Sequence, residues 1–196
     1  MQKAGADAVS IQRSGSSEAV RNLAVLIGAT LFIALCAHIT IPLPFTPVPL
    51  TVQNFAVILV GLVLGSRAGF AVLALYIAEG AFGMPVFSPI GPGGIAQLLG
   101  PTGGFLLAYP FVAWLAGYVM ERGHKTFLRA AAAGFVGEVA LFAGGLGWLA
   151  ILTHSIALAF RWGLYWFLFA EIIKVMMAAG IAARWSRNKV EQEVRS

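Results

Sequence analysis

Residues 42–53 have the sequence Pro-Leu-Pro-Phe-Thr-Pro-Val-Pro-Leu-Thr-Val-Gln and carry four of the chain's nine prolines in eight positions. This segment has no charged residue and lies between two long apolar runs. Proline cannot continue a helix, and it favours an extended conformation in the residue before it. We therefore predict a stiff, non-helical connection that follows one apolar helix and precedes the next.

The composition places the chain in a membrane. Of its 196 residues, 59% are hydrophobic and only 11% are charged, and the mean hydropathy is +0.85. A soluble domain carries about a quarter charged residues. We predict a membrane domain over residues 19–187, a disordered tail over residues 1–18 that is too polar to form a core, and a short tail over residues 188–196.

Six apolar segments approach the roughly twenty residues that a membrane-spanning helix needs. They are residues 20–41, 51–66, 68–84, 103–120, 126–152 and 163–185. Arg67 separates the second from the third, and we predict two helices there rather than one helix with an arginine at mid-membrane. The expected fold is an all-α integral membrane protein with six transmembrane helices.

The distribution of Lys and Arg orients these spans. Eleven of the 13 basic residues fall on one side, and only Arg161 falls on the other. The positive-inside rule then predicts that both termini are cytoplasmic. This orientation accounts for the formal net charge of +5, so no nucleic-acid partner is expected and the lipid bilayer is the surrounding medium.

Two uncharged connections rich in Pro and Gly, residues 42–50 and 85–102, fall on the extracytoplasmic side in this arrangement. Glycine allows close backbone approach, and proline limits the alternative conformations. We predict that both loops pack on the helices as a lid over a ligand site. Gln53, whose amide has both donor and acceptor atoms, is a candidate either to touch the ligand or to hold the loop.

Four ionisable residues lie inside the predicted spans: Glu79, Glu138, Glu171 and Lys174. Placing such residues in a bilayer costs free energy, so their presence indicates functional sites. Counting about 1.5 Å per residue places all four at one level in the outer half of the membrane. Glu171 and Lys174 share a helix face, either as a simple ion pair or as a donor–acceptor pair for a ligand. Glu79 and Glu138 either contact the ligand or bond to a neighbouring helix, and at least one glutamate should be neutral.

Several kinds of chemistry have no sequence support. The three histidines lack metal-ligand spacing, no phosphate-binding Gly-x-x-x-x-Gly-Lys-Ser/Thr motif occurs, and no nucleophile–base arrangement is present. We predict a protein that is not an enzyme and that has neither a metal nor a cofactor. The small-residue spacings Gly61/Gly65/Gly69 and Ala24/Gly28 indicate close helix packing, with partner docking as a second interpretation for Ala24 and Gly28.

Four motifs, taken together, resemble the BioY family, the biotin-binding S components of energy-coupling factor (ECF) transporters. They are Pro-Val-Pro-Leu-Thr-Val-Gln (47–53), Gly-Met-Pro-Val-Phe (83–87), Gly-Gly-Ile-Ala-Gln-Leu-Leu-Gly-Pro-Thr-Gly-Gly (93–104) and Glu171-x-x-Lys174. This resemblance implies a six-helix protein of the inner (cytoplasmic) cell membrane that captures biotin on the extracytoplasmic side. It also implies two kinds of partner, a transmembrane coupling protein and ABC-type ATPase subunits, with biotin as the transported substrate.

The resemblance also suggests roles for individual residues. It implies that Glu171 accepts the ureido N–H groups of biotin and that Lys174 donates to the ligand, with the biotin carboxylate as the alternative partner of Lys174. Phe87, Tyr109 or Trp166 would flank the bicyclic ring.

The chain departs from the family at two points. Glu171 stands where the family usually has Asp in a Pro-Gly-Asp-x-x-Lys step, and no basic residue occurs in residues 82–104 to meet the carboxylate. Two other functions stay open, namely a proton-coupled secondary carrier that uses Glu79, Glu138 and Glu171 as a relay, and an S component for a different vitamin.

Overall fold

The structure, a computed structural model, describes the backbone of residues 3–195 and the side chains of residues 18–188, 191, 192 and 195. Eight helices and one two-stranded sheet occur in this part of the chain. In chain order they are α1 (Lys3–His38), β1 (Thr40–Ile41), β2 (Leu50–Thr51), α2 (Gln53–Leu64), α3 (Ser66–Ala81), α4 (Gly94–Leu99), α5 (Gly103–Glu121), α6 (Phe127–Thr153), α7 (Ile156–Gly163) and α8 (Leu168–Arg195).

The proline-rich segment forms the loop of a short β-hairpin. Strands β1 and β2 pair antiparallel with Thr40 opposite Thr51. The Val52 N–H extends the pairing by donating to the Ile39 carbonyl at 3.1 Å. The prediction of a non-helical connection is confirmed, and the hairpin closes a loop whose four prolines have no N–H to offer a helix.

Helices α2 and α3 are separate, as predicted, although the break falls at Gly65 rather than at Arg67. Gly65 has φ +88°, a value that favours glycine. The Glu121 carboxylate at the end of α5 accepts hydrogen bonds from the Ser66 backbone N–H and from the Ser66 hydroxyl, both at 2.7 Å. A helix N-terminus favours a negative group, so Glu121 fixes the start of α3.

The last predicted span, residues 163–185, begins at the wrong place. Gly163 is the final residue of α7, and α8 begins at Leu168. The two helices meet at an angle of 52°. Helix α7 lies mostly in the stretch that was predicted as the connection between the spans 126–152 and 163–185. Its start is marked by the Ser155 hydroxyl, which accepts a hydrogen bond from the Leu158 N–H at 3.3 Å.

Several helices have the length and hydropathy of membrane spans. Among the described residues, Glu18–His38, Gly103–Glu121 and Phe127–Thr153 qualify individually, and Ile156–Gly163 with Leu168–Asn188 makes a fourth if the bent pair is one span. Large apolar side chains such as Leu35 and Val139 are exposed on the helix surfaces, which is typical of a membrane protein. Helices α2 and α3, with 12 and 16 residues, are shorter than a complete span.

The predicted division into tails and a membrane domain falls partly on residues that are not fully described. The backbone of α1 already begins at Lys3, within the predicted tail at residues 1–18. The side chains of residues 1–17 lie outside the described part of the chain, as do several side chains of the predicted tail at residues 188–196. The division into tails and a membrane domain stays a prediction.

Helix α5 lies at the centre of the bundle and packs against α2, α3 and α6. Val112, Ala113 and Ala116 on α5 are fully buried. Small residues permit this packing, because a Cβ atom on Gly61 would lie 2.4 Å from the Ala113 carbonyl oxygen. The predicted role of Gly61 in close helix packing is therefore confirmed, with α5 as its partner. Gly28 on α1 has no atom within 4 Å of such a Cβ.

Replacement of Gly61 by alanine should destabilise the fold, whereas the same change at Gly28 should not. The added methyl group at Gly61 would push against the backbone of α5, and overpacking of this kind costs about 1–3 kcal/mol. At Gly28 the space is open, so Gly28→Ala should be neutral or stabilising by up to about 1 kcal/mol through higher helix propensity. Thermal unfolding in detergent measures both variants, and equal effects would contradict the packing described for α2 and α5.

Candidate functional site

A cavity of about 60 Å³ lies at the end of the bundle that carries the hairpin and the 82–102 loop. Its walls come from the hairpin, this second loop, α2, α5, α6 and the α7–α8 junction. The aromatic side chains on its walls are Phe105, Tyr109, Phe142 and Phe167, and the polar ones include Thr51, Gln53, Asn54, Ser88, Gln97, Thr102 and Glu171. The cavity combines an apolar surface with a small number of polar groups, which is typical of sites for small organic ligands.

Asn54 joins two buried carboxylates at the wall of the cavity. Its side-chain nitrogen donates to Glu138 Oε1 at 2.6 Å and to Glu171 Oε2 at 2.7 Å. All three side chains are buried and come from α2, α6 and α8 respectively. The first turn of α2 therefore connects three helices through one amide group.

Lys174 completes this network from within α8. Its Nζ atom lies 2.7 Å from Glu171 Oε1, and both side chains are largely buried. The ion-pair interpretation of the Glu171-x-x-Lys174 spacing is therefore realised in the structure. With both glutamates ionised, the network would carry two negative charges and one positive charge. A formal charge of −1 in an apolar bundle is unfavourable unless a proton or a ligand donor compensates it.

Two acceptor atoms in the network lack a hydrogen-bond partner among the described residues: Asn54 Oδ1 and Glu138 Oε2. Leaving a buried polar atom unsatisfied costs about 1–3 kcal/mol, so such atoms call for an explanation. Asn54 lines the cavity whereas Glu138 does not. Asn54 Oδ1 is therefore the one unpartnered acceptor that belongs to a residue of the cavity wall.

Gln53 both lines the cavity and holds the second loop. Its side-chain nitrogen donates to the Tyr76 hydroxyl at 2.8 Å, and this hydroxyl donates to the Val86 carbonyl at 2.6 Å. This chain of hydrogen bonds joins α2 to α3 and α3 to the loop. Phe87 adds an apolar anchor, with its ring 5.5 Å from that of Tyr76.

The hairpin is attached to a different part of the bundle. The Thr46 hydroxyl donates to the Trp162 carbonyl at 2.8 Å, and the Phe45 and Trp166 rings lie 4.1 Å apart. One side-chain hydrogen bond, between the hydroxyls of Thr40 and Ser88 at 3.1 Å, joins the hairpin region to the second loop. The two loops therefore close the cavity together while resting on different helices.

The structure places five of the eight predicted site residues in or beside the wall of the cavity and the other three elsewhere. Glu171, Gln53 and Tyr109 line the cavity, and Glu138 and Lys174 adjoin it through the hydrogen bonds described above. Glu79 lies apart from this network and accepts a hydrogen bond from the Thr30 hydroxyl at 3.2 Å. Phe87 and Trp166 hold the two loops and do not line the cavity.

The sequence reasoning did not find Asn54, Phe105, Phe142 or Phe167. Asn54 had a detectable signal, because a neutral amide beside Gln53 at the start of an apolar helix is unusual, although the residue carries no charge to mark it as a site. The aromatic residues had no such signal, since 14 phenylalanines are distributed along the chain. Within the described residues, no three His, Cys, Asp or Glu side chains are grouped so that they could hold a metal ion.

Long apolar helices, a network of buried charges and a loop-covered cavity together define a membrane protein that binds a small organic solute. A sequence model described as the BioY family matches residues 6–190. The chain belongs to the BioY family.

Named relatives align with this chain over most of their length. A probable biotin transporter BioY of Pyrococcus horikoshii is 39% identical over 159 residues, covering 81% of this chain and 93% of the relative. The biotin transporter BioY of Thermotoga maritima is 38% identical over 170 residues, covering 85% and 98%. The crystal structure of an S-component for biotin from an ECF-type ABC transporter superposes with a TM-score of 0.78 at 25% identity, covering 87% of this chain and 93% of that one.

Asn54→Asp should destabilise the protein strongly although it barely changes the side-chain volume. The substitution replaces an N–H₂ donor by an oxygen that faces two carboxylates, and leaving buried charged groups without their donor costs more than about 1–3 kcal/mol. Asn22→Asp is the matched control, because Asn22 is exposed on α1 and such changes stay within about 0.5 kcal/mol. Thermal unfolding compares the two, and an unfolding temperature for Asn54→Asp equal to that of the control would contradict the network.

Proposed function

We propose that this chain is the substrate-binding S component of an ECF-type transporter and that it captures biotin for uptake. The observation that carries the proposal is the polar network of Asn54, Glu138, Glu171 and Lys174 at the wall of a largely apolar cavity. Biotin has a ureido ring with two N–H donors and one carbonyl acceptor, and an apolar bicyclic body. Membership of the BioY family and the biotin-transport function in the names of its relatives support the same ligand.

The network matches the ureido ring group by group. Asn54 Oδ1 is an acceptor without a partner in the described residues, and Glu171 reaches the cavity as a second acceptor. Lys174, whose ammonium has three N–H donors, bonds to Glu171 and adjoins the cavity without lining it. It donates to the ureido carbonyl once the cavity has expanded around the ligand. Phe105, Tyr109 and Phe167 supply an apolar wall for the bicyclic body.

Ligand entry requires the cavity to expand. The cavity of about 60 Å³ is well below the roughly 300–1,000 Å³ of sites that enclose small organic ligands. The two loops rest on different helices, so separating them would enlarge the site without breaking the bundle. We propose that the hairpin and the second loop are the moving lid.

The orientation and the partners complete the proposal. The chain crosses the cytoplasmic membrane six times with both termini inside, and the two loops face outward. The excess of basic residues at the opposite end supports this orientation. A transmembrane coupling protein and ABC-type ATPase subunits supply the energy, in keeping with a sequence that has no phosphate-binding Gly-x-x-x-x-Gly-Lys-Ser/Thr motif.

Purified protein titrated with biotin should show saturable quenching or enhancement of tryptophan fluorescence, and Lys174→Met should abolish this signal. The substitution removes the cation that compensates Glu171 and the donor for the ureido carbonyl. Glu79→Gln is the matched control, since Glu79 lies outside the network, and it should bind biotin like the unmodified protein. Biotin affinity unaffected by Lys174→Met would refute the assignment of the site, and a response to another vitamin but not to biotin would refute the ligand.

Uptake experiments separate the proposal from a proton-coupled carrier. Cells that express this chain with ECF coupling and ATPase subunits should accumulate biotin, and an ATPase variant that cannot hydrolyse ATP should stop the accumulation. Biotin accumulation that is unchanged by the ATPase variant and is lost when the proton gradient is dissipated would favour the carrier.

A disulfide between the two loops should slow biotin binding. The hydroxyls of Thr40 and Ser88 are 3.1 Å apart, so Thr40→Cys with Ser88→Cys, in a Cys36→Ala background, places two thiols at the junction of the loops. We expect the oxidised form to bind biotin at least about tenfold more slowly than the reduced form, because conformational opening limits association. Stopped-flow fluorescence with and without reductant measures the rate, and identical rates would show that the ligand enters elsewhere.

A further inference from the structure

We propose that Glu138 is a positioning residue that turns the carbonyl oxygen of Asn54 toward the ligand and so sets the selectivity for a ligand N–H group. The inference rests on the proposed function but concerns a residue that does not line the cavity. It assigns Glu138 an indirect role, through Asn54, in place of direct contact with the ligand.

The orientation of the Asn54 amide follows from its surroundings. The amide group has two N–H donors on one atom and an acceptor on the other. Both carboxylate oxygens near Asn54, Glu138 Oε1 at 2.6 Å and Glu171 Oε2 at 2.7 Å, face the nitrogen. The reverse orientation would place the amide oxygen against two carboxylates. The network therefore fixes which end of Asn54 remains for a ligand.

The two carboxylates that bond to Asn54 differ in whether a bound ligand can compete for them. Glu171 lines the cavity and already bonds to Lys174 through its other oxygen. A ligand N–H group that approaches Glu171 therefore competes with the Asn54 amide for the same carboxylate. Glu138 meets no such competition, because its side chain is buried behind the cavity wall. When the site is occupied, Glu138 is the group that keeps Asn54 in its orientation.

This role predicts a change in selectivity together with a change in affinity. Mono-N-methyl analogues of biotin lack one of the two ureido N–H groups. The unmodified protein should bind at least one of these analogues at least about tenfold more weakly than biotin, because a hydrogen bond within a charged network is lost. Glu138→Met, which removes the acceptor at similar volume, should reduce this ratio to near unity for the analogue that blocks the N–H group bound by Asn54. Glu138→Gln, which keeps an acceptor oxygen, should retain it.

A double-mutant cycle separates positioning from direct contact. If Glu138 acts only through Asn54, then adding Glu138→Met to Asn54→Ala should change biotin affinity by less than about threefold. Independent losses that multiply in the double variant would overturn the proposal. Glu79→Leu is the control for loss of a partly buried carboxyl group elsewhere in the bundle, and its selectivity ratio should equal that of the unmodified protein.

A ligand-free measurement tests the same inference independently of biotin. The chain has three asparagines, Asn22, Asn54 and Asn188, so selective ¹⁵N labelling gives three side-chain N–H₂ signals, and Asn54→Ala assigns the one of interest. Glu138→Met should move one proton signal of Asn54 toward the positions of exposed Asn22 and Asn188, while Glu138→Gln should leave it nearly in place. Glu138→Ala replaces Glu138→Met if the latter does not fold.

The outcomes distinguish the two proposals. An Asn54 side-chain signal that keeps its position in Glu138→Met would overturn the positioning role even if biotin binds tightly. Failure of the unmodified protein to bind biotin would overturn the proposed function, while a shifted Asn54 signal would still support the control of Asn54 by Glu138.

Discussion

One amide group connects the three helices that carry the polar side of the site. Asn54 uses both of its N–H donors for carboxylates, one on α6 and one on α8, and Lys174 balances the second of these carboxylates. In an apolar bundle each of these groups would be costly alone, because an unpaired buried charge is far less stable than one within a hydrogen-bonded network. The network therefore makes the positions of α2, α6 and α8 depend on one another at the level of the cavity.

The two loops over the cavity are also attached to the start of α2. Gln53, adjacent to Asn54, connects to the second loop through the Tyr76 hydroxyl. The hairpin ends at the start of the same helix. The first two residues of α2 thus contribute both to the wall of the cavity and to the attachment of its loops, and the proline-rich segment leads directly into them.

Helices with clear ends could be predicted closely from the sequence. The segments predicted at residues 103–120 and 126–152 agree with α5 (Gly103–Glu121) and α6 (Phe127–Thr153) within one residue. Prolines, glycines and charged residues mark these ends. The α7–α8 junction could not be predicted in this way, because residues 164–167 are all apolar and the change of direction between the two helices does not alter the hydropathy.

The site was predictable to the extent that charge alone determines it. A glutamate and a lysine three positions apart must share a helix face, and the structure places them in contact. Depth along a helix does not specify direction around it, which is why Glu79, at a similar predicted level, contacts Thr30 on α1 instead. Asn54 is neutral and gave no charge signal, and the aromatic lining depends on helix rotations that only packing determines.

The break at Gly65 has a mechanical consequence for the site. Helix α2 is a rod of 12 residues, about 18 Å long at 1.5 Å per residue, with Asn54 in its first turn and a glycine immediately after its last residue. Glu121 fixes the beginning of α3 on the far side of that glycine. A tilt of about 5° about Gly65 would displace Asn54 by about 1.5 Å over a rod of this length. Such a displacement is enough to break a hydrogen bond, so small movements at the end of the bundle remote from the loops would be transmitted to the ligand cavity through α2.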